Sequence, residues 1–211
     1  MARVTAGRPR HFSMIRGFHL ADFLTLANAG CGTAAIFCAA IFAADRSPGH
    51  FEAAAALILA ALVFDVLDGR VARWRQNHSA LGRELDSLSD VISFGVAPAA
   101  LGFAAGMNGG WDWIVLIYFV CCGVSRLARY NVTAAGMSDD SGKVGYFEGT
   151  PIPTSVVLVL VLAYAASQKA TGAALPGGVW TLGPGQLHPL ALLFALSGTL
   201  MISKTLRIPK L

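Results

Sequence analysis

Apolar and polar stretches alternate along this chain with a period too long for a soluble domain. Apolar runs occupy Phe23 to Ala44, about His50 to Leu67, about Asp86 to Gly106, about Trp111 to Val124, about Ile152 to Ser167 and about Pro189 to Ser203. Each is read as a helix crossing a bilayer, so the pattern predicts an all-α, polytopic membrane protein built as a six-transmembrane-helix bundle. Polar segments at Arg70 to Leu81 and Ser125 to Thr150, a turn at Asn108 to Gly110 and a Gly/Pro-rich stretch from Lys169 to His188 are expected as loops. Gly30 and Gly32 are expected to allow close helix contact. Trp111, Trp113 and Tyr118 are candidate anchors at the membrane interface. Residues Met1 to His19 mix Arg3, Arg8, Arg10 and Arg16 with Phe12, Met14, Ile15 and Phe18. That segment reads either as a short amphipathic helix lying on the membrane surface or as a disordered basic tail. No internal repeat divides the chain, and residues 1–211 read as one domain.

Composition supports the membrane reading. Of the 211 residues 55% are hydrophobic and only 13% charged, against about 25% charged in soluble domains. The position of the charges says more than their sum. Fourteen of the sixteen Lys and Arg residues fall in the N-terminal tail, the 70–83 segment, the 125–150 segment and the C-terminal tail, leaving Arg46 and Lys169 elsewhere. With six crossings those four segments share one face, and the positive-inside rule makes it cytoplasmic. The expected location is therefore the inner or plasma membrane of a prokaryote, with both termini inside and no cleavable signal peptide. No nucleic-acid partner is expected. Cys31, Cys38, Cys121 and Cys122 lie in apolar runs and read as buried free thiols.

The chemistry is concentrated between Phe64 and Asp90. Asp65 and Asp68 are spaced i,i+3, and Asp86 and Asp90 i,i+4, so each pair shares a helix face. At 100° per residue, Asp65, Asp68, Gly69, Ala72 and Arg73 fall within about 140° of one face, while Gly82, Asp86 and Asp90 advance by about 40° per step. A carboxylate at bilayer depth costs about 2.5–3.5 kcal/mol, and four together repel. Hard oxygen ligands with no His or Cys pair nearby point to Mg²⁺, Mn²⁺ or Ca²⁺. Two ions held this way can clamp a phosphate for in-line displacement. Arg73, one turn beyond Asp68, can donate to a phosphate. Gly69 and Gly82 leave room for a ligand or for close helix packing. Arg70, Arg75 and Arg83 read as topology-setting charge, and His78 and His188 as loop histidines.

The same segment carries a recognisable signature. D-x2-D-G-x2-A-R-x8-G-x3-D-x3-D runs without a gap from Asp65 to Asp90 and resembles that of the CDP-alcohol phosphotransferases, integral membrane enzymes of phospholipid synthesis. The resemblance implies two divalent cations, Mg²⁺ or Mn²⁺, on Asp65, Asp68 and Asp86. Asp90 would complete the metal site and act as the catalytic base on the acceptor hydroxyl. Asp65, Gly69, Ala72, Arg73 and Gly82 would line the CDP and phosphate groups. The implied reaction is attack of an alcohol on the β-phosphate of a CDP-linked donor, releasing CMP. The family is typically dimeric, so a homodimer is expected.

Outside the signature, L-T-L-A-N-A-G, R-L-A-R-Y-N at 126–131, Y-F-E-G-T-P-I-P at 146–153 and L-M-I-S-K near the C-terminus resemble the branch of that family that uses serine. This implies CDP-diacylglycerol and L-serine as partners, within membrane lipid. Arg126 or Arg129 would meet the acceptor carboxylate, and Asn131 or Glu148 its ammonium. Ala21-Asp22 stands where the family usually has Pro-Asn, and Thr150 where it often has an apolar residue. Two alternatives stay open: a sister enzyme using glycerol 3-phosphate or inositol phosphate, and a divalent-cation transporter whose carboxylates form an ion path.

Overall fold

All six apolar runs are helical in the computed structural model, which describes residues 20–75, 80–136, 146–203, 205 and 207–209. The proposed N-terminal amphipathic segment, residues 1–19, lies outside them. The helices are α1 (Leu20–Asp45), α2 (Pro48–Arg75), α3 (Ala80–Asp90), α4 (Ala97–Ala105), α5 (Gly110–Gly136), α6 (Val156–Ser167) and α7 (Ala191–Ile202). A π-helical segment, Val91–Val96, joins α3 to α4 without a break. Two antiparallel pairs accompany them: β1 (Tyr146–Glu148) with β4 (Arg207–Pro209), and β2 (Trp180–Leu182) with β3 (Gly185–Leu187).

Four helical segments, Leu20–Asp45, Pro48–Val71, Leu81–Ala105 and Gly110–Val132, are long and apolar enough to cross a membrane, while Ile152–Ser167 and Ala191–Ile202 are shorter. Their surfaces are inverted relative to a soluble bundle. Phe37, Val63, Ile117 and Val157 are each about 60% exposed, whereas Asn28, Ser93 and Asp112 are fully buried. Lipid accepts large apolar side chains on the outside, while the inside combines small and polar residues with large ones such as Phe51, Phe94, Phe119 and Phe194. Buried Ala35, Ala39, Ala54 and Ala61 belong to α1 and α2, which share the most extensive helix contact of the fold.

Consecutive elements run back and forth between two ends of the bundle. At one end the α1–α2 turn meets the end of α4, where Arg46 Nη1 donates to the Ala104 carbonyl at 3.1 Å. Nearby, Asp112 in the first turn of α5 accepts from the backbone N–H groups of Gly109 and His188 and contacts His188 Nδ1 at 2.7 Å. That buried carboxylate ties the β2–β3 hairpin to α5, and Trp111 Nε1 adds a bond to the Leu182 carbonyl. His188 lies in the loop directly after β3, as expected, and there it is buried and paired with Asp112. At the other end lie the Asp cluster, the last turns of α5 and the Gly149 turn, whose positive φ of 70° lets the backbone pass against Met201.

Several expected boundaries shift. α2 continues to Arg75 and α3 begins at Ala80, so the 70–81 segment is mostly helix and residues 76–79 fall outside the description. S-R-L-A-R-Y-N is helix as well, because α5 runs on to Gly136. Ser, Arg, Leu and Ala all tolerate helical backbone, and Leu127 and Arg126 are buried against the bundle, so nothing stops the helix where the apolar run stops. The 169–188 stretch holds a hairpin as well as loop. Gly32 makes the close contact expected of it, a Cβ there falling 2.7 Å from Ser93 Cα, but Gly30 has nothing within 4 Å. All four cysteines are free, although Cys121 is exposed on the helix surface.

Candidate active site

Helix α2 carries Asp65 and Asp68, and α3 carries Asp86 and Asp90. The two helices return towards each other, so the periodicity that puts each pair on one face also turns the faces together. One carboxylate oxygen from each of Asp65, Asp68 and Asp86 lies within 4.8 Å of the others. An octahedral ion with ligands at about 2.1 Å places trans oxygens about 4.2 Å apart, and Ca²⁺ allows about 5 Å. At least two of the three pairs must be cis, about 3 Å apart, so the three carboxylates would close by about an ångström to share a hard divalent cation. Asp90 stands beside the trio, in side-chain contact with Asp65. It is 7% exposed and Asp68 is 5% exposed, while Asp65 and Asp86 are half-buried, so the cluster opens on one side.

The other wall is α1. Thr25 Oγ1 donates to Asp68 Oδ2 at 2.8 Å, and Asn28 Nδ2 donates to Asp90 Oδ1 at 3.5 Å. In return Ser89 Oγ donates to the Thr25 carbonyl at 3.0 Å, and Ser93 Oγ to the Asn28 carbonyl at 2.9 Å. Asp22, Thr25, Asn28 and Gly32 are all buried and form one stripe along α1. The sequence reading missed Thr25 and Asn28 as site residues. Their signal was present: polar residues three apart in an otherwise apolar helix share a face, and such a face is not for lipid.

The π-helical segment follows Asp90 directly. Ala97 N–H donates to the Ile92 carbonyl, five residues back, and Pro98 in the next turn has no N–H to continue an α-helical ladder. The shift seats Ser93 against Gly32 and Asn28, and so fixes the height of Asp90 relative to α1.

Other expected residues separate. Among the described residues nothing lies within 4 Å of a Cβ built on Gly69, so none of them packs against this glycine. Gly82 is half-buried on α3. Ala72 and Arg73 lie on α2, but their side chains, like that of Glu148, fall outside the description. Arg126 is 9% exposed and sits near enough to Asp90 to interact with it electrostatically. Arg129 turns to the Ile202 carbonyl at the end of α7, 3.5 Å away. Asn131 is engaged with α3: its Oδ1 accepts from Ser87 Oγ at 3.2 Å, and its Nδ2 donates to Ser87 and Glu84. Its amide is therefore turned to α3, with one of the two lone pairs of its oxygen engaged.

Comparison with known proteins decides the family. The family model described as CDP-alcohol phosphatidyltransferase matches residues 18–197. The chain belongs to the CDP-alcohol phosphatidyltransferase family. Among curated CDP-alcohol phosphatidyltransferases it is 45% identical over 203 residues to the CDP-diacylglycerol–serine O-phosphatidyltransferase of Saccharomyces cerevisiae, covering 95% of this chain and 74% of that one. The enzyme of that name from Mycobacterium tuberculosis is 36% identical over 162 residues, 74% of this chain and 52% of its own length. The archaetidylserine synthase of Methanothermobacter thermautotrophicus is 39% identical over 143 residues, 66% of this chain and 55% of its own. The chain thus spans about half the length of the mycobacterial and archaeal relatives and about three quarters of the yeast one. Family membership sets aside the cation-transporter alternative.

Proposed function

We propose that this chain transfers a phosphatidyl group from CDP-diacylglycerol to the hydroxyl of L-serine, giving phosphatidylserine and CMP. The observation that carries the chemistry is the convergence of Asp65, Asp68 and Asp86 beside buried Asp90. The choice of serine rests on relatives in three organisms whose names specify a seryl product or acceptor.

In this reading Asp65, Asp68 and Asp86, completed by Asp90, hold two divalent cations, Mg²⁺ or Mn²⁺. When bound, the cations neutralise the donor pyrophosphate and stabilise charge that develops on it. Gly69 and Gly82 leave backbone approachable to the CDP moiety, with Asp65, Ala72 and Arg73 along the same face. Asp90 accepts the proton of the serine hydroxyl as its oxygen bonds to the β-phosphorus. The bond from that phosphorus to the CMP oxygen breaks, and CMP leaves. Arg126, buried next to Asp90, faces the serine carboxylate; Arg129 and Asn131 support the end of α5 instead, and Glu148 remains a candidate for the ammonium.

The same proposal has all six apolar runs crossing the bilayer, with the Asp cluster and both termini cytoplasmic. The distribution of basic residues and the grouping of helix ends around the cluster support it. A homodimer belongs to the proposal on the family resemblance alone.

Purified protein given Mn²⁺, CDP-diacylglycerol and L-serine is expected to release CMP and form phosphatidylserine, and Asp90→Asn to abolish both. Product from glycerol 3-phosphate or inositol phosphate but none from serine would overturn the acceptor and leave the family chemistry standing.

A further inference from the structure

Among the described residues, two buried polar atoms close to Asp90 have no hydrogen-bond partner. They are Asn28 Oδ1 on α1 and Arg126 Nε on α5. Folded proteins seldom leave such atoms unpaired, and each one asks for an explanation. One is an acceptor and the other a donor, from two different helices, and both flank the carboxylate placed to take a proton from the acceptor.

The orientation of the Asn28 amide is decided by its surroundings. Its Nδ2 points at Asp90 Oδ1, 3.5 Å away. Turning the amide over would set its carbonyl oxygen against the carboxylate, acceptor against acceptor. The backbone beneath it is held by Ser93 Oγ, which donates to the Asn28 carbonyl at 2.9 Å, and by the Gly32 contact one turn on. Asn28 is 0% exposed, so a group reaching its oxygen must enter between α1 and the half-buried side of the Asp cluster. That oxygen needs a donor, and beside four carboxylates a cationic donor is the most favourable kind.

A substrate that delivers its hydroxyl to Asp90 brings its neighbouring atoms to Asn28. In an α-amino-β-hydroxy acid the ammonium sits one carbon from the hydroxyl carbon, and the carboxylate shares the ammonium's carbon. We propose that Asn28 reads the ammonium of the acceptor: Oδ1 accepts from the –NH₃⁺ group while Nδ2 holds Asp90 in position. The Arg126 Nε donor is then left for the carboxylate. The assignment rests on the serine reading given above, and it adds a specificity residue on α1, a helix outside the D-x2-D-G signature. An acceptor without an ammonium, such as a sugar or glycerol phosphate, would leave Oδ1 unpaired and be disfavoured by it.

Two substitutions at this residue separate recognition from support. Asn28→Ala removes both amide groups; Asn28→Asp keeps an acceptor oxygen, and nearly the same shape, but loses the donor to Asp90. Purified wild type and variants are assayed for CMP release with Mn²⁺, varying L-serine and CDP-diacylglycerol in turn. Asn28→Ala is expected to raise KM for serine about tenfold or more, with KM for CDP-diacylglycerol unchanged. Asn28→Asp sets a fifth carboxylate against Asp90 and is expected to lower kcat more than Asn28→Ala does. The proposal is overturned if Asn28→Ala leaves KM for serine within about threefold of wild type, or raises both KM values alike. Wild type that releases no CMP with serine would sink the functional reading itself, a distinct result.

Discussion

Replacing Asp86 with Asn should make the metal-free protein more stable and the metal-loaded protein less so. Oxygens of Asp65, Asp68 and Asp86 lie within 4.8 Å of one another. Two unit charges at that distance repel by about 3 kcal/mol at an effective dielectric constant near 20. Asp86→Asn removes two of the three repelling pairs, a bare Coulomb gain of about 6–7 kcal/mol. Asp65 and Asp86 are half-buried, so solvent and relaxation reduce this severalfold, and a net gain of about 1–2 kcal/mol is expected. In a chain of this size that raises Tm by about 3–6 °C. Saturating Mn²⁺ reverses the order: at a hundred times Kd a bound ion stabilises wild type by about 2.7 kcal/mol, and the amide, a weaker ligand, forfeits most of that. The assay is thermal unfolding of detergent-solubilised wild type and variant, each in EDTA and in Mn²⁺. The reasoning fails if Asp86→Asn melts below wild type in EDTA, or if both proteins gain equally from Mn²⁺.

Three further outcomes follow from individual contacts. Thr25→Val keeps the shape of the side chain but deletes the 2.8 Å bond to Asp68; since partners of metal ligands tune affinity, the Mn²⁺ concentration for half-maximal CMP release should rise about tenfold. Gly32→Ala puts a methyl group 2.7 Å from Ser93 Cα and should cost about 1–3 kcal/mol through overpacking, whereas Gly30→Ala, with nothing within 4 Å, should be neutral or stabilise by up to about 1 kcal/mol; paired melting curves check both. Asp112→Ala strands the N–H groups of Gly109 and His188 and the His188 ring, so a loss of about 3 kcal/mol is expected, with faster proteolysis in the β2–β3 hairpin and an unchanged KM for serine.

The acidic face was legible from spacing because helical period is a local property. Asp65 with Asp68, and Asp86 with Asp90, needed only 3.6 residues per turn to be placed together. The apolar runs were legible for the same reason, as lipid rewards each exposed Phe, Val or Ile individually. What escaped was non-local or set by an absence. α5 extends through Arg126 to Gly136 because buried Leu127 and Arg126 hold its polar turns, and local hydropathy carries no trace of that. The π-helical offset after Asp90 depends on Pro98 and on the room left by Gly32, sixty-odd residues apart. Asn131 looked like a ligand group in sequence but is occupied by Ser87 and Glu84 across a helix interface. Thr25 and Asn28 gain their meaning only once α1 is known to cover α2 and α3.

That covering role bears on how the site is held. Four hydrogen bonds attach the acidic helices to α1: Thr25 to Asp68, Asn28 to Asp90, Ser89 to the Thr25 carbonyl and Ser93 to the Asn28 carbonyl. Bonds of this kind in a membrane interior average about 0.6 kcal/mol each, so together they supply about 2 kcal/mol. One repelling carboxylate pair at the observed spacing opposes them with about 3 kcal/mol before screening. After the screening expected for half-buried carboxylates, the three pairs of the trio together fall to about 2 kcal/mol, comparable with the four bonds, so hydrogen bonding alone gives the oxygens little net hold. The close packing of α1 on α2, built from Gly32 and the buried alanines, fixes the helix backbones, and the side chains remain free to splay unless positive charge lies between them. Backbone placement thus follows from helix packing, while oxygen placement would respond to a cation held between the three carboxylates. A metal-free protein should keep its helices and lose the order of its carboxylates, which is the division that the Asp86→Asn melting experiment measures.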